Sequence, residues 1–250
     1  MISNPAIAAA EVLRRLHLGV VVPDYEQLLV QTYSNFIKPG SVAIDVGAHA
    51  GRHTEHLARF AGDNGKVVAF EPIPHLFAKL KKTFKGNKVV DLRPFALSRY
   101  PGTLPFKIVR NLPELSGLKE RVFDRAVLNV ETIIVTVSTL DEQLADLDRV
   151  DYIKIDVEGA EIDCLHGAVN TLTKFRPLVS VEYGEPSYSV YGHQASTLLE
   201  FALDNDYVLS DFFTNVIDDH ETWQAVCNRS YWDYMLVPKE RVAWWQALFG

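Results

Sequence analysis

The feature that most constrains this chain is a series of short apolar segments, each followed by a helical pattern. Residues 41–46, 66–70, 88–92, 152–155 and 178–181 are largely apolar, and 52–60, 75–84, 160–175 and 195–204 have helical spacing. Strands apolar on both faces must be covered on both faces. Their alternation with helices predicts an α/β fold, a mostly parallel sheet with helices on either side. Residues 104–109 and 133–137 break the rhythm. Both are β-branched and alternating, and they predict a small antiparallel β-hairpin inserted into the α/β pattern. Residues 207–209 and 234–237 read as closing strands, with 211–232 as a lid or edge cover between them.

Ahead of the first strand, residues 5–18 read as a helix with Pro5 near its first turn and Gly19 at its end. Asp24 can cap a second helix, whose apolar stripe is Leu28, Leu29, Tyr33 and Phe36 and whose stop is Pro39-Gly40. A length of 250 residues with 48% hydrophobic side chains suits one large domain with a substantial core.

The net charge of −7, from 25 basic and 32 acidic residues, counts against a nucleic-acid partner, which needs a cationic face. Lys79, Lys81, Lys82, Lys85 and Lys88 read more simply as a solvated helix face. No apolar run is long enough to span a bilayer, so no membrane partner is expected. The first 18 residues carry no basic region before their apolar part, unlike a secretion signal. Cys164 and Cys227 have no metal-ligand spacing; free or buried thiols in a reducing compartment are expected, with the cytoplasm as the default location.

The strongest local signal is Asp45-Val46-Gly47-Ala48-His49-Ala50-Gly51, directly after the first strand. Gly47 and Gly51 allow a tight turn and a close backbone approach to a ligand, at the edge where nucleotide-like cofactors bind open α/β sheets. The pattern lacks the three glycines of a dinucleotide loop and starts with a carboxylate. Asp45 would repel a pyrophosphate and suits an ammonium, which favours S-adenosyl-L-methionine over NAD. Glu71 ends the next strand, where a carboxylate can accept both hydroxyls of a ribose. Asp156 ends a further strand within Lys154-Ile155-Asp156-Val157-Glu158-Gly159-Ala160-Glu161, and Glu182 ends the one after it. Glu158 and Glu161 can simply complement a helix N-terminus. Methyl transfer to an alcohol needs a group that takes the hydroxyl proton. Asp156 and Glu182 are first by position and His193 is next; His49 lies inside the glycine turn and also qualifies. His53 and His56 read as packing or surface residues. A required metal is not expected.

Tyr183, Tyr188, Tyr191, Phe212 and Phe213 can line an acceptor pocket or pack as ordinary cover. Trp244, Trp245 and Phe249 are expected to pack the terminal helix or form a homodimer surface.

In order, Ala43 to Gly51, Val68-Ala69-Phe70-Glu71-Pro72, Thr139-Leu140-Asp141, Ile153 to Glu161 and Pro177 to Glu182 resemble the FkbM-type branch of class I S-adenosyl-L-methionine-dependent methyltransferases. The resemblance covers roughly residues 41–210, and its Lys-Ile-Asp-Val-Glu-Gly-x-Glu run is its most specific part. It implies a Rossmann-like seven-stranded sheet whose last strand, near 234–237, is antiparallel. It also implies O-methylation of a hydroxyl on a sugar or secondary metabolite, so that a small molecule or glycan is the partner. Asp45, Gly47 and Gly51 would surround the methionine part of the cofactor, Glu71 the ribose, and Ala96 and Leu97 the adenine. Position 49 is usually asparagine in such enzymes and is His49 here. The expected division is an N-terminal helical cover (1–40), a cofactor-binding core (41–210) and a lid, edge strand and C-terminal helix (211–250), in one domain. Two other readings are a catalytically silent Rossmann-like binding or scaffold protein and an NAD-linked oxidoreductase.

Overall fold

A computed structural model describes residues 24–112, 115–119, 129–227 and 231–249. The expected helix at 5–18 lies outside the described residues. The second helix, Tyr25–Ser34, is present, and the Asp24 carboxylate caps it by accepting from the Gln27 amide at 3.0 Å.

The strands are β1 (Val42–Val46), β2 (Lys66–Phe70), β3 (Val90–Arg93), β4 (Ala96–Leu97), β5 (Gly102–Val109), β6 (Val130–Ser138), β7 (Tyr152–Ile155), β8 (Leu178–Glu182), β9 (Tyr207–Ser210), β10 (Val216–Ile217) and β11 (Asp233–Pro238). Among the described residues the main sheet runs β3-β2-β1-β7-β8-β11-β9-β10. From β3 to β8 neighbouring strands are parallel, whereas β11 is antiparallel to both β8 and β9. This is the mostly parallel, Rossmann-like sheet with an antiparallel strand near 234–237 that the resemblance implies. It holds eight strands rather than seven, because two residues of the lid segment, Val216 and Ile217, pair with Ser210 and Leu209 at the edge.

Successive side chains of a strand point to opposite faces, so each buried strand feeds two cores. Ile44, Val46, Ile153, Ile155, Val179 and Val181 pack on one face, and Ala43, Val67, Tyr152, Leu178, Met235 and Trp245 on the other. Trp245 is fully buried, its indole N–H donating to Ser210 Oγ at 2.8 Å, while Trp244 stays partly exposed against Arg241. The side chain of Phe249 lies outside the described residues.

The inserted hairpin is β5–β6. It pairs in antiparallel register from Gly102↔Val137 to Val109↔Val130, and β4 joins it in parallel as a second, three-stranded sheet. The helix expected over 160–175 is instead two, Glu161–His166 and Val169–Phe175. The break falls at Gly167, where a Cβ would stand 2.2 Å from the Ser98 carbonyl oxygen. Asp141 caps the second helix from outside, accepting from the Asn170 and Thr171 amides at 3.1 and 2.7 Å. Asp141 is therefore a structural anchor. No helix among the described residues is long and apolar enough to cross a membrane.

Candidate active site

The carboxyl ends of β1, β2, β7 and β8 meet along one edge, and the turns leaving them build the site. After β1 the chain reverses sharply, with φ of +84° at Gly47, +48° at His49 and +88° at Gly51. The Gly47 and Ala48 amides donate to the Phe70 carbonyl at 3.1 and 2.9 Å, which fastens the turn to the end of β2. Glycine at 47 makes room for protein rather than for a ligand. Its missing Cβ would stand 1.9 Å from the Asp156 carbonyl oxygen, so the β1 turn lies directly on the end of β7. Gly51 likewise faces Leu80 of the helix Pro74–Thr83 and Phe84, which caps its C-terminal end.

Asp45 is almost wholly buried beneath this turn, at 1% exposure. Its Oδ2 accepts from Thr54 Oγ1 at 2.6 Å, and its Oδ1 has no hydrogen-bond partner. Glu71 is buried too. One of its oxygens accepts from the His49 amide and the other from the Ile73 amide, both at 2.8 Å. Burial outweighs these bonds and pushes its carboxyl up to about 7.

A cavity of about 550 Å³ runs over the turns. Its lining includes the apolar residues Phe95, Ala96, Leu97 and Phe106, the 46–50 turn with Glu71, and the carboxylates of Asp156, Glu158 and Glu182. A second cavity of about 400 Å³ adjoins it and shares Glu26, Lys154, Asp156, Glu182 and Trp232 as walls. The larger cavity carries five carboxylates, from Glu26, Glu71, Asp156, Glu158 and Glu182, against two cations, from Arg52 and Lys154. That balance suits a cationic ligand and opposes a pyrophosphate. Among the described residues no cluster of His, Cys, Asp and Glu has the geometry to hold a metal ion.

Of the residues expected at the cofactor, Gly47, His49, Glu71, Ala96 and Leu97 line the larger cavity. Asp45 and Gly51 lie behind its wall. Asp156 and Glu182 line both cavities. His193 lines neither; its surroundings are Asp163, Arg99 and Lys119, and burial pushes its pKa down. The aromatic residues Tyr183, Tyr188, Tyr191, Phe212 and Phe213 also line neither cavity. Tyr183 stacks on Tyr188 with centroids 4.3 Å apart and donates to the Gln194 carbonyl at 2.6 Å. Tyr191 fills the space beside Gly159.

Several site residues were not expected. Lys154 is 3% exposed, and its ammonium donates to Asp156 Oδ2 at 2.9 Å. Burial alone would push its pKa down, but the charges of Asp156 and Asp45 more than reverse this. An ionisable residue inside a four-residue buried strand was the available signal. His53, expected as packing or surface, is buried at the cavity wall. Its Nδ1 lies 3.1 Å from the Tyr33 hydroxyl and its Nε2 2.5 Å from Glu26 Oε2. The hydrogen bond to His53 is the main reason that the Glu26 carboxyl falls to about 2. Glu161 does more than complement a helix. Its buried Oε1 accepts from the Val157 and Gly159 amides at 3.0 and 2.9 Å, holding the loop that carries Asp156 and Glu158.

Residues 45–209 match the family model described as the methyltransferase FkbM domain. The chain belongs to this family. It is 30% identical to methyltransferase sdnD of Sordaria araneosa over 173 residues, 58% of this chain and 66% of that protein. It is 26% identical to methyltransferase 1 of Beauveria bassiana over 145 residues, 51% of this chain and 58% of that protein. The chain thus spans under two thirds of the length of these relatives. Among solved structures, an FkbM methyltransferase from Methylobacillus flagellatus is 15% identical with a TM-score of 0.48, covering 79% of this chain and 43% of that one.

Proposed function

We propose that this FkbM-domain chain transfers a methyl group from S-adenosyl-L-methionine to a hydroxyl of a small molecule or glycan. One observation carries the reading: a carboxylate-rich cavity adjoins a second cavity, and Asp156 and Glu182 line both. The residues fit the cofactor. Glu71 keeps acceptor capacity for ribose hydroxyls beside its two backbone bonds, the apolar lining by Phe95, Ala96 and Leu97 suits adenine, and the unpartnered Asp45 Oδ1 adds negative potential behind the turn. When bound, the cofactor supplies an electrophilic methyl on a sulfonium.

The chain's own part is positioning and proton handling. Asp156 is the group assigned to orient the acceptor hydroxyl and take its proton, because Lys154 holds one of its oxygens and the carboxylate lines both cavities. Glu182 suits that task less well. Burial, followed by the charges of Asp156 and Asp233, pushes its carboxyl up, which favours the protonated form over the anion that a base needs. The two buried free thiols, Cys164 and Cys227, support a cytoplasmic location.

Calorimetry with S-adenosylhomocysteine and with NAD tests the cofactor: micromolar binding of the former alone is expected. Absence of that binding, with no change on Asp45→Ala, sinks the reading. Asp156→Asn is expected to lower methyl transfer by on the order of 100-fold or more with little change in S-adenosylhomocysteine affinity. A loss of cofactor affinity alone would reassign Asp156 to cofactor binding.

A further inference from the structure

The smaller cavity has a chemistry that methyl transfer to a hydroxyl does not by itself require. Its walls are Tyr25, Glu26 and Leu29 from the helix Tyr25–Ser34, Lys154 and Asp156 from the end of β7, Glu182 from β8, and Tyr231, Trp232 and Asp233 at the start of β11. Two of its four carboxylates already have cationic or hydrogen-bonding partners. Asp156 is paired with Lys154 at 2.9 Å, and Glu26 is held by His53 at 2.5 Å and by Arg52 at 3.6 Å. Glu182 and Asp233 have no hydrogen bond or ion pair to a side chain among the described residues. They stand opposite one another in the antiparallel register of β8 and β11. Like charges directly opposite across strands destabilise a sheet, and burial raises both carboxyls, so the ligand-free pair sheds charge by holding protons and a cation between the two would favour its charged form.

We propose that this cavity seats an organic ammonium group of the methyl acceptor, between the carboxylates of Glu182 and Asp233 and the rings of Tyr25, Tyr231 and Trp232. Carboxylates supply the charge, and aromatic faces attract a cation through the negative potential over the ring. A hard divalent cation is a poorer occupant, because it takes about six to eight oxygen ligands where calcium is concerned, and the described residues form no such cluster. Burial and the neighbouring Asp156 push Asp233 up to about 7, as expected for a carboxyl waiting in a poorly solvated site for a counter-charge. An ammonium held there has no lone pair, so it cannot itself take the methyl group. The acceptor class is therefore a hydroxyl compound that carries an amine, methylated on oxygen. That the cavity belongs to the acceptor rests on the methyltransferase reading; that it holds a cation rests on its walls.

The test uses the full chain with saturating S-adenosylhomocysteine and two matched pairs of probes. Choline is compared with its neutral isostere 3,3-dimethylbutan-1-ol, and glucosamine with N-acetylglucosamine, by ligand-observed NMR titration. In at least one pair the cation is expected to bind ten-fold or more tightly than its neutral partner. Asp233→Asn should abolish that preference, and Asp233→Glu should restore part of it. Equal affinity within both pairs, or no binding of any probe to protein that holds S-adenosylhomocysteine normally, overturns the proposal. A matching loss of S-adenosylhomocysteine affinity in Asp233→Asn also overturns it, by assigning the carboxylate to the cofactor. If S-adenosylhomocysteine fails to bind but the cation preference persists, the methyltransferase reading falls and the cation seat stands.

Discussion

Gly47→Ala separates two reasons why a glycine stands at this turn. The backbone there has φ of +84°, which costs an L-residue with a Cβ about 1–2 kcal/mol. The added Cβ would also stand 1.9 Å from the Asp156 carbonyl oxygen. The atom it meets is backbone and a Cβ is fixed by the backbone that carries it, so no side chain can swing aside. The end of β7 must move away from the turn instead, and overpacking of this kind costs about 1–3 kcal/mol. The sum, about 2–5 kcal/mol, is a large share of the roughly 5–15 kcal/mol of a typical domain. Gly86→Ala is the control, because its φ is +82° and a Cβ there meets nothing within 4 Å. Denaturant unfolding of both variants then isolates the contact, with Gly47→Ala expected to be lower by about 1–3 kcal/mol at unchanged m-value. S-adenosylhomocysteine affinity should fall in Gly47→Ala only, since the 46–50 turn that lines the larger cavity shifts with it. Equal destabilisation of the two variants would refute the contact as the reason for the glycine.

Other outcomes follow from the buried carboxyls. Glu161 is pushed up to about 7 by burial, so between the ordinary carboxyl range and about 7 the folded chain holds a proton that the unfolded chain has released. Stability should therefore fall as pH rises through that window, and Glu161→Gln should flatten the slope in unfolding curves at pH 5, 6 and 7. Glu71 stands near the same value, and hydroxyl donors favour its charged form. S-adenosylhomocysteine should accordingly bind more tightly at pH 8 than at pH 6 by calorimetry, and Glu71→Gln should bind weakly at both.

The parts of the site that lie at strand ends were legible in the sequence. Asp45, Glu71, Asp156 and Glu182 each close an apolar strand, and parallel strands bring their carboxyl ends to one edge whatever the packing. The reach of each side chain was not legible. Asp45 ends the right strand, yet alternation turns it under the glycine loop toward Thr54 rather than into the cavity. His193 follows Glu182 closely in sequence, but the turns after β8 carry it to Asp163 and Arg99 instead. Trp232 and Asp233 were read as lid and edge, and only the pairing of β11 with β8 sets them beside Glu182.

What the sequence determined by itself was the periodic and local content: buried strands, covering helices, the inserted hairpin and the turn residues after β1. These depend on which side chains can be buried at a given spacing, and that information is carried over a few residues. What the tertiary structure alone decided was the company each charge keeps. Glu26 and His53 are 27 residues apart and meet because two helices pack against one another. Lys154 is stable in a buried strand because Asp156 and Asp45 surround it there. Whether a carboxylate is paired, or faces a cavity without a partner, depends on long-range packing. Asp141 and Glu161 accept from backbone amides and hold the fold, whereas Glu182 and Asp233 face a cavity with no side-chain partner among the described residues.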